Sequence, residues 1–392
     1  MIRGRPELAA PALLTYLATG VAMLGTAAMS PVLPAMQGAL GVGDARIGLV
    51  MSAFTAAVAV TVPLQGWLAD RYGRRPVLGG NLLLFGLAGT ATFVAPDFRT
   101  VLALRALQGA GFAGVLPLVV TVVSDMFGGD AEVGAQGLRV TAVNLGGFLF
   151  PVLTGALVAV AWNVPFLLFA GAVPVGLAVL FRLPEPASAR RPEGNYVRAV
   201  LTAGRRPLVA IAVALGTLRF FTLYAIYTYL PLLIVARGLG AGRAGVVIGA
   251  VNATKMLVAT QSRRTTALAP PRVTLAAAVL VSLLVVAAFP AAGSFPAFLL
   301  VAVGLGAVEG VSAPLQKTVL TRYAPAPVRA GVVSLNAAVQ NVGKTAGPVA
   351  VGVVVAAAGL PASFVLLGAG GALVAGGLLA ATALVGATEP AP

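Results

Sequence analysis

Five ionisable side chains lie inside long apolar segments of the sequence, where charges are rare. An unpaired charge at the centre of a bilayer costs at least about 2.5 kcal/mol, so such residues mark either a substrate or ion pathway or a structural ion pair. Four of the five are basic and one is acidic, a balance that favours an anionic ligand if all are ionised. The five residues are Arg105, Arg219, Lys255, Glu309 and Lys344.

Glu309 is the carboxylate that lies deepest in such a segment, and small neighbours, Gly306 and Gly310, leave it room. The chain contains no His, so proton-coupled chemistry inside a membrane would need a carboxylate that changes its charge. Glu309 is therefore the candidate proton carrier. The alternative is a permanent ion pair between Glu309 and Lys255 or Lys344 that holds helices together.

The composition excludes several other kinds of site. With no Cys and no His, the chain has no thiol nucleophile, no disulfide and no His-ligated metal. The 11 Asp and Glu residues form no cluster that would suit a metal or a hydrolytic site. We therefore expect no metal, no cofactor and no enzyme activity, although sequence alone leaves a channel or a membrane-embedded enzyme open.

The 392 residues are too apolar for a soluble protein. Apolar types make up 59% and charged types only 9%, against about 25% charged in soluble chains. The net charge of +15 is spread in short runs between apolar segments, which indicates membrane topology rather than a nucleic-acid surface. The sequence therefore predicts an all-α membrane protein that spans the bilayer many times.

Twelve segments are long enough to span a bilayer, which needs roughly 20 apolar residues. Most basic residues outside them fall on the side of the termini, so the positive-inside rule predicts cytoplasmic termini and, for a prokaryote, the inner membrane. The predicted spans lie near 9–36, 47–69, 76–95, 100–124, 138–161, 164–181, 207–235, 244–261, 273–290, 295–320, 331–358 and 362–387.

An internal repeat divides these spans into two sets of six. A polar stretch, 183–206, separates residues 1–182 from residues 207–392, and the two halves align without gaps at an offset of 197 residues. Small residues and prolines recur in the fifth and eleventh spans, where they predict close helix packing. These packing residues are Gly146, Pro151 and Gly155 in the first half and Gly343, Gly347 and Pro348 in the second.

The loop after the second span reads GWLADRYGRR over residues 66–75 and resembles the signature loop of the major facilitator superfamily. Arg105 and the following Gln108-Gly109-Ala110-Gly111 resemble the motif of its drug/proton antiporter branch. The resemblance implies the major facilitator fold, two pseudo-symmetric six-helix halves. It also implies a cytoplasmic gate in which Asp70 faces the start of the eleventh helix and Arg74 pairs with Asp125. The predicted gate residues are Gly66, Asp70, Arg71, Gly73, Arg74 and Asp125.

The resemblance further implies that the first, fourth, seventh and tenth helices line a central cavity. Arg105 and Glu309 are then candidates for proton coupling. The alternative to a functional role is that Arg105, like the other basic residues in the spans, forms a structural ion pair or extends its side chain towards the membrane surface. The predicted cavity residues are Gln108, Arg219, Tyr224, Tyr227, Lys255 and Lys344.

The function that this pattern predicts is secondary active transport by alternating access, with proton-coupled efflux of small amphiphilic molecules such as drugs or metabolites. Its partners would be a small-molecule substrate, protons and the lipid bilayer, with no nucleic acid, and we expect a monomer. Two departures weaken the efflux interpretation: the antiporter motif of the fifth span is incomplete, and the first span has no acidic residue. An organic-anion carrier with a cationic cavity is the alternative.

Overall fold

The computed structural model describes residues 7, 9–185, 196–261, 270–325 and 328–388. These residues form helices and no β-strand, which confirms the predicted all-α membrane class. Part of the predicted linker, residues 186–195, lies outside the described residues. The helices in chain order are α1 (Ala10–Leu40), α2 (Asp44–Tyr72), α3 (Arg74–Val94), α4 (Phe98–Met126), α5 (Gly129–Leu157), α6 (Val164–Arg182), α7 (Tyr196–Gly204), α8 (Pro207–Ala236), α9 (Ala241–Ala259), α10 (Pro271–Ala291), α11 (Phe295–Tyr323), α12 (Arg329–Ala358) and α13 (Leu360–Thr388).

Eleven helices of the described residues are long and apolar enough to cross a membrane. The predicted span 244–261 corresponds to α9, a 19-residue helix that is not among the eleven. Arg243, Asn252 and Lys255 make α9 more polar than the others. The short helix α7 lies within the stretch that the sequence predicts as a polar linker.

Residue contacts divide the chain into two compact units. The first contains Met1–Gly43, Leu49–Arg190 and Ala244–Gly249, and the second contains Asp44–Gly48, Arg191–Arg243 and Ala250–Pro392. The main division falls inside the predicted linker. The domain bounds themselves stay a prediction, because the residues around the division lie outside the described part of the chain.

Helix α1 is not continuous. It is α-helical over Ala10–Ala22 and Leu33–Leu40, with 3₁₀ turns between them and a non-helical residue at Thr26 (φ −113°, ψ −109°). A break of this kind leaves backbone carbonyls without their usual helical donors, and other groups must satisfy them inside the membrane.

The N-termini of α4 and α11 are capped in the same way at repeat-equivalent positions. The Asp97 side chain accepts a hydrogen bond from the Thr100 amide at 2.8 Å, and the Ser294 hydroxyl accepts one from the Ala297 amide at 3.4 Å. Because the bond to the Thr100 backbone stabilises the carboxylate, the pKa of Asp97 lies below its usual value. The fourth membrane-spanning helix of each half therefore begins with a side-chain N-cap at the equivalent position.

Small residues allow close helix contact where the repeat predicts it. A Cβ at Gly146 would meet the Gly20 carbonyl at 2.8 Å, and a Cβ at Gly343 would meet the Thr217 carbonyl at 2.6 Å. A Cβ at Gly347 would overlap the Phe221 carbonyl. In the same regions, Gly155 lies beside Gly245, Pro151 and Pro348 lie within α5 and α12, and the Tyr229 hydroxyl donates to the Pro348 carbonyl at 2.8 Å.

The contact of Gly347 with α8 gives a stability prediction. Gly347→Ala should destabilise the protein by about 1–3 kcal/mol, because the new methyl group meets backbone that cannot rotate away. Gly370→Ala is the matched control, since a Cβ there has no described neighbour within 4 Å. Thermal unfolding in detergent measures both variants, and equal melting temperatures would show that α8 and α12 do not depend on this contact.

Candidate functional site

A buried ion pair joins α8 and α11 in the second unit. One terminal nitrogen of Arg219 donates to Glu309 Oε2 at 2.7 Å, and both side chains are almost completely buried. The Arg219 guanidinium also lies 4.5 Å from the centre of the Phe220 ring. The sequence analysis considered Lys255 or Lys344 as the ion-pair partner of Glu309. This prediction is wrong, because Glu309 pairs with Arg219.

Side-chain amides extend this ion pair towards α12. Gln316 accepts a hydrogen bond from Arg219 at 3.4 Å and donates to Asn336 Oδ1 at 3.1 Å, to which Gln340 also donates at 3.3 Å. The sequence interpretation missed these amides. Asn336 and Gln340 are four residues apart on one helix face, a spacing that could have revealed them.

Lys255 on α9 and Lys344 on α12 are held in the same manner. Each ammonium donates to the Asn three residues earlier, Asn252 or Asn341, at 2.9 Å. The Tyr227 hydroxyl donates to the same Asn252 oxygen at 3.1 Å. Both lysines are partly exposed, and neither forms an ion pair with a carboxylate within the described ranges. The recurring Asn-x-x-Lys pattern was visible in the sequence and was overlooked.

Aromatic rings surround Lys344. Its ammonium lies 4.7 Å from the centre of the Phe220 ring and 5.9 Å from that of Tyr224, distances at which a cation is attracted to a ring face. The rings of Tyr224 and Tyr227 are 6.0 Å apart. The aromatic residues predicted on the seventh span thus lie beside a cation. These contacts connect all three cations to α8: Arg219 lies on it, Lys344 lies beside its Phe220 ring, and Lys255 shares the Asn252 oxygen with its Tyr227. Together with Glu309 they form the candidate site.

Arg105 in the first unit is completely buried, so the interpretation that it reaches towards the membrane surface is wrong. Its guanidinium donates to the carbonyls of Val50 at 3.3 Å and Gly25 at 3.1 Å and to the side-chain oxygen of Gln108. It also lies 4.4 Å from the centre of the Phe54 ring. The Gly25 carbonyl belongs to the break in α1, which explains why it is free to accept.

The loop between α2 and α3 contains the ion pair that the family resemblance implies. Arg74 pairs with Asp125 at the end of α4. Gly73 has φ +98°, a conformation that favours glycine. Asp70 is exposed, as is Gly66, and the guanidinium of Arg71 lies 5.6 Å from the ring centres of both Trp67 and Tyr72. The role of this loop as a gate remains a prediction.

Glu185 is a residue of this loop region that sequence reasoning missed. Its carboxylate accepts hydrogen bonds from the backbone amides of Arg74 at 2.6 Å and Arg75 at 3.2 Å, so it binds the N-terminus of α3. An anion at a helix N-terminus satisfies free amides and interacts favourably with the helix dipole. Glu185 is 111 residues away from Arg74 in sequence, and no local pattern connects them.

The comparisons with known proteins identify the family. The model of the Major Facilitator Superfamily matches residues 15–284, and the chain belongs to this family. A solved bacterial homologue of the human lysosomal transporter Spinster, in an inward-facing conformation, has the same fold, with a TM-score of 0.79 at 17% identity over 97% of this chain and 96% of that one. The protein is therefore a multi-pass integral membrane protein with the fold of a transporter.

Two curated relatives are transporters of small molecules. The chain is 32% identical to the 3-(3-hydroxy-phenyl)propionate transporter of Escherichia coli K12 over 326 residues, which cover 78% of this chain and 77% of that protein. It is 35% identical to the bacillibactin exporter of Bacillus subtilis 168 over 153 residues, 37% of this chain. The second match spans only 38% of the exporter's length.

The contact of Glu185 with α3 can be tested through stability. Glu185→Ala should destabilise the protein by about 0.5–2 kcal/mol, because it leaves two helix-terminal amides without an acceptor. Asp70→Asn is the control in the same loop: it should leave the melting temperature unchanged, because Asp70 forms no ion pair among the described residues. Equal melting temperatures for Glu185→Ala and the parent would contradict the capping role.

Proposed function

We propose that this protein is a secondary active transporter that moves small aromatic organic anions together with protons. One observation carries the proposal: of the three cations Arg219, Lys255 and Lys344 in the second unit, only Arg219 has a carboxylate partner among the described residues, which is Glu309. Two positive charges therefore remain without a carboxylate partner among the described residues. An anionic substrate would supply the missing charge.

The lysines are suited to bind a carboxylate. An ammonium group has three donors, and Asn252 and Asn341 each accept only one of them from Lys255 and Lys344. Both side chains are partly exposed, whereas Arg219 and Glu309 are buried. A substrate carboxylate would therefore meet a lysine before it reaches the ion pair.

The rings near Lys344 favour a substrate that is also aromatic. Phe220 and Tyr224 lie close to its ammonium and could stack against a substrate ring. The similarity to a 3-(3-hydroxy-phenyl)propionate transporter, over more than three quarters of both chains, supports this substrate class.

Coupling to protons would operate at Glu309. A substrate carboxylate that engages Arg219 competes with Glu309 for the same guanidinium, and a released Glu309 in an apolar environment is stabilised by taking up a proton. Anion and proton would then each raise the affinity for the other, as linkage requires. This scheme predicts that anion and proton move in the same direction.

Asp70 and Arg74, at the junction of α2 and α3, and Asp125, at the end of α4, would form the cytoplasmic gate. Both chain termini would then lie on the cytoplasmic side of a prokaryotic inner membrane. The Arg74–Asp125 ion pair and the Glu185 cap hold the start of α3 in a single position. Asp70 would then be free to bias one of two alternating states.

Efflux of amphiphilic compounds is the second candidate function. The partial similarity to the bacillibactin exporter favours it. In the second unit the surplus of cations argues against cationic drugs as substrates, because like charges would repel each other in a site of low dielectric constant.

The charge of the substrate is tested by binding in detergent. The parent should bind 3-(3-hydroxyphenyl)propionate about tenfold or more tightly than its neutral amide, because a hydrogen bond to a charged group contributes about 1.5–3 kcal/mol. Lys344→Gln should remove most of this preference, and Lys344→Arg should retain it. Lys317→Gln is the matched control, since Lys317 is the third lysine of the chain and is exposed.

Isothermal titration calorimetry measures the affinities of the parent and of the three variants for the acid and for the amide. Equal affinities of the parent for the acid and the amide would refute the anion proposal. A lipophilic cation such as tetraphenylphosphonium that binds more tightly than the acid, unaffected by Lys344→Gln, would favour the efflux function instead.

A further inference from the structure

A lateral groove with a volume of about 660 Å³ lies on the second unit between α8 and α12, beside the end of α7. Apart from one arginine at its mouth, its walls are almost entirely apolar. The residues that define it are Arg205 at the mouth, Ala210, Ala214 and Phe221 on α8, and Leu335 and Val339 on α12.

The length of the groove matches one leaflet of a bilayer. From Ala210 to Phe221 an α-helix rises about 16 Å, roughly half of the ~30 Å hydrocarbon thickness. Thr217 is the one hydroxyl on the wall, and it donates to the Val213 carbonyl at 2.8 Å. The wall therefore offers an occupant mainly hydrocarbon contact, which suits an acyl chain.

Positive charge lies at the mouth of the groove. Arg205 lies two residues before the first residue of helix α8, and Arg198 and Arg206 line a second cavity of about 550 Å³ beside α7. All three arginines are exposed, and none forms an ion pair in the portion of the chain that the structure describes. The described residues that line the two cavities include no Asp or Glu.

The short helix α7 and its junction with α8 carry these arginines. The apolar residues Val200 and Ala203 of α7 are buried in the core of the second unit. Gly204 lies so close to α12 that a Cβ there would meet the Leu335 side chain at 2.7 Å. Arg198 therefore lies on an anchored helix, and Arg205 and Arg206 are the two residues that connect this helix to α8.

The repeat supplies an internal comparison. At the equivalent position of the first unit, a groove between α1 and α5 has a volume of only about 270 Å³, and none of the described residues that line it is an arginine. Larger side chains fill it: Leu13 and Tyr16 stand where the second unit has Ala210 and Val213, 197 residues later. Leu17 likewise corresponds to Ala214.

We propose that the groove of the second unit binds an anionic phospholipid, with one acyl chain between α8 and α12 and the phosphate against Arg205. Arg198 and Arg206 would attract the headgroup electrostatically. Charge and shape together select this occupant: a neutral lipid would leave the arginines without a counterion, and a water-soluble anion would leave the apolar wall exposed. The proposal does not depend on the substrate.

Native mass spectrometry of the purified protein in detergent tests the proposal, with dioleoylphosphatidylglycerol and dioleoylphosphatidylcholine as probes. The parent should retain phosphatidylglycerol about fivefold or more strongly than phosphatidylcholine, because one arginine near a membrane surface contributes about 1 kcal/mol to the binding of an anionic lipid. Arg205→Gln should reduce that ratio to near one. Ala214→Trp should weaken retention of both lipids, because the indole fills the groove.

Leu17→Trp, at the equivalent site of the smaller groove, is the control and should retain both lipids like the parent. Equal retention of the two lipids by the parent would overturn the proposal. Unchanged selectivity in Arg205→Gln would also overturn it, because the lipid would then be bound elsewhere. Arg205 is exposed, so a folding defect in Arg205→Gln is not expected to obscure the result.

Discussion

Every charge that lies within the hydrocarbon region has to be matched by a partner, because an isolated charge there costs at least about 2.5 kcal/mol. The second unit meets this constraint for Arg219 with the carboxylate of Glu309. Among the described residues, Lys255 and Lys344 have only uncharged partners, which are asparagine oxygens and, for Lys344, aromatic rings as well. Neutral acceptors hold an ammonium in place without cancelling its charge. In the proposed mechanism, anion binding and proton coupling both depend on the resulting positive surplus.

The first unit meets the same constraint in a different way. The break in α1 places the Gly25 carbonyl beside Arg105, and the buried guanidinium donates to that carbonyl, to the Val50 carbonyl and to Gln108. Arg105 thus links α4 to α1 and α2 within the first unit. In the proposed mechanism, the charge-dependent steps belong to the second unit.

The sequence predicts the spans well, because a bilayer requires long apolar helices and leaves little choice of structure. The Arg74–Asp125 contact follows from a family motif. The partner of Glu309 could not be derived, since it depends on how α8 and α11 are rotated against each other. The role of Glu185 depends on the position of a helix end 111 residues away. One of the two carbonyls that accept from Arg105, that of Gly25, belongs to a helix break that the apolar composition conceals. The two asparagine–lysine pairs, in contrast, could have been predicted from their spacing in the sequence.

The central claim is that Glu309 exchanges Arg219 for a proton when an anion binds. Transport of radiolabelled 3-(3-hydroxyphenyl)propionate into proteoliposomes under an imposed inward proton gradient, with the parent beside Glu309→Gln, tests it most directly. The account predicts that the gradient drives accumulation by the parent, whereas Glu309→Gln still binds and exchanges the anion but no longer responds to the gradient. An unchanged gradient response in Glu309→Gln would contradict the account.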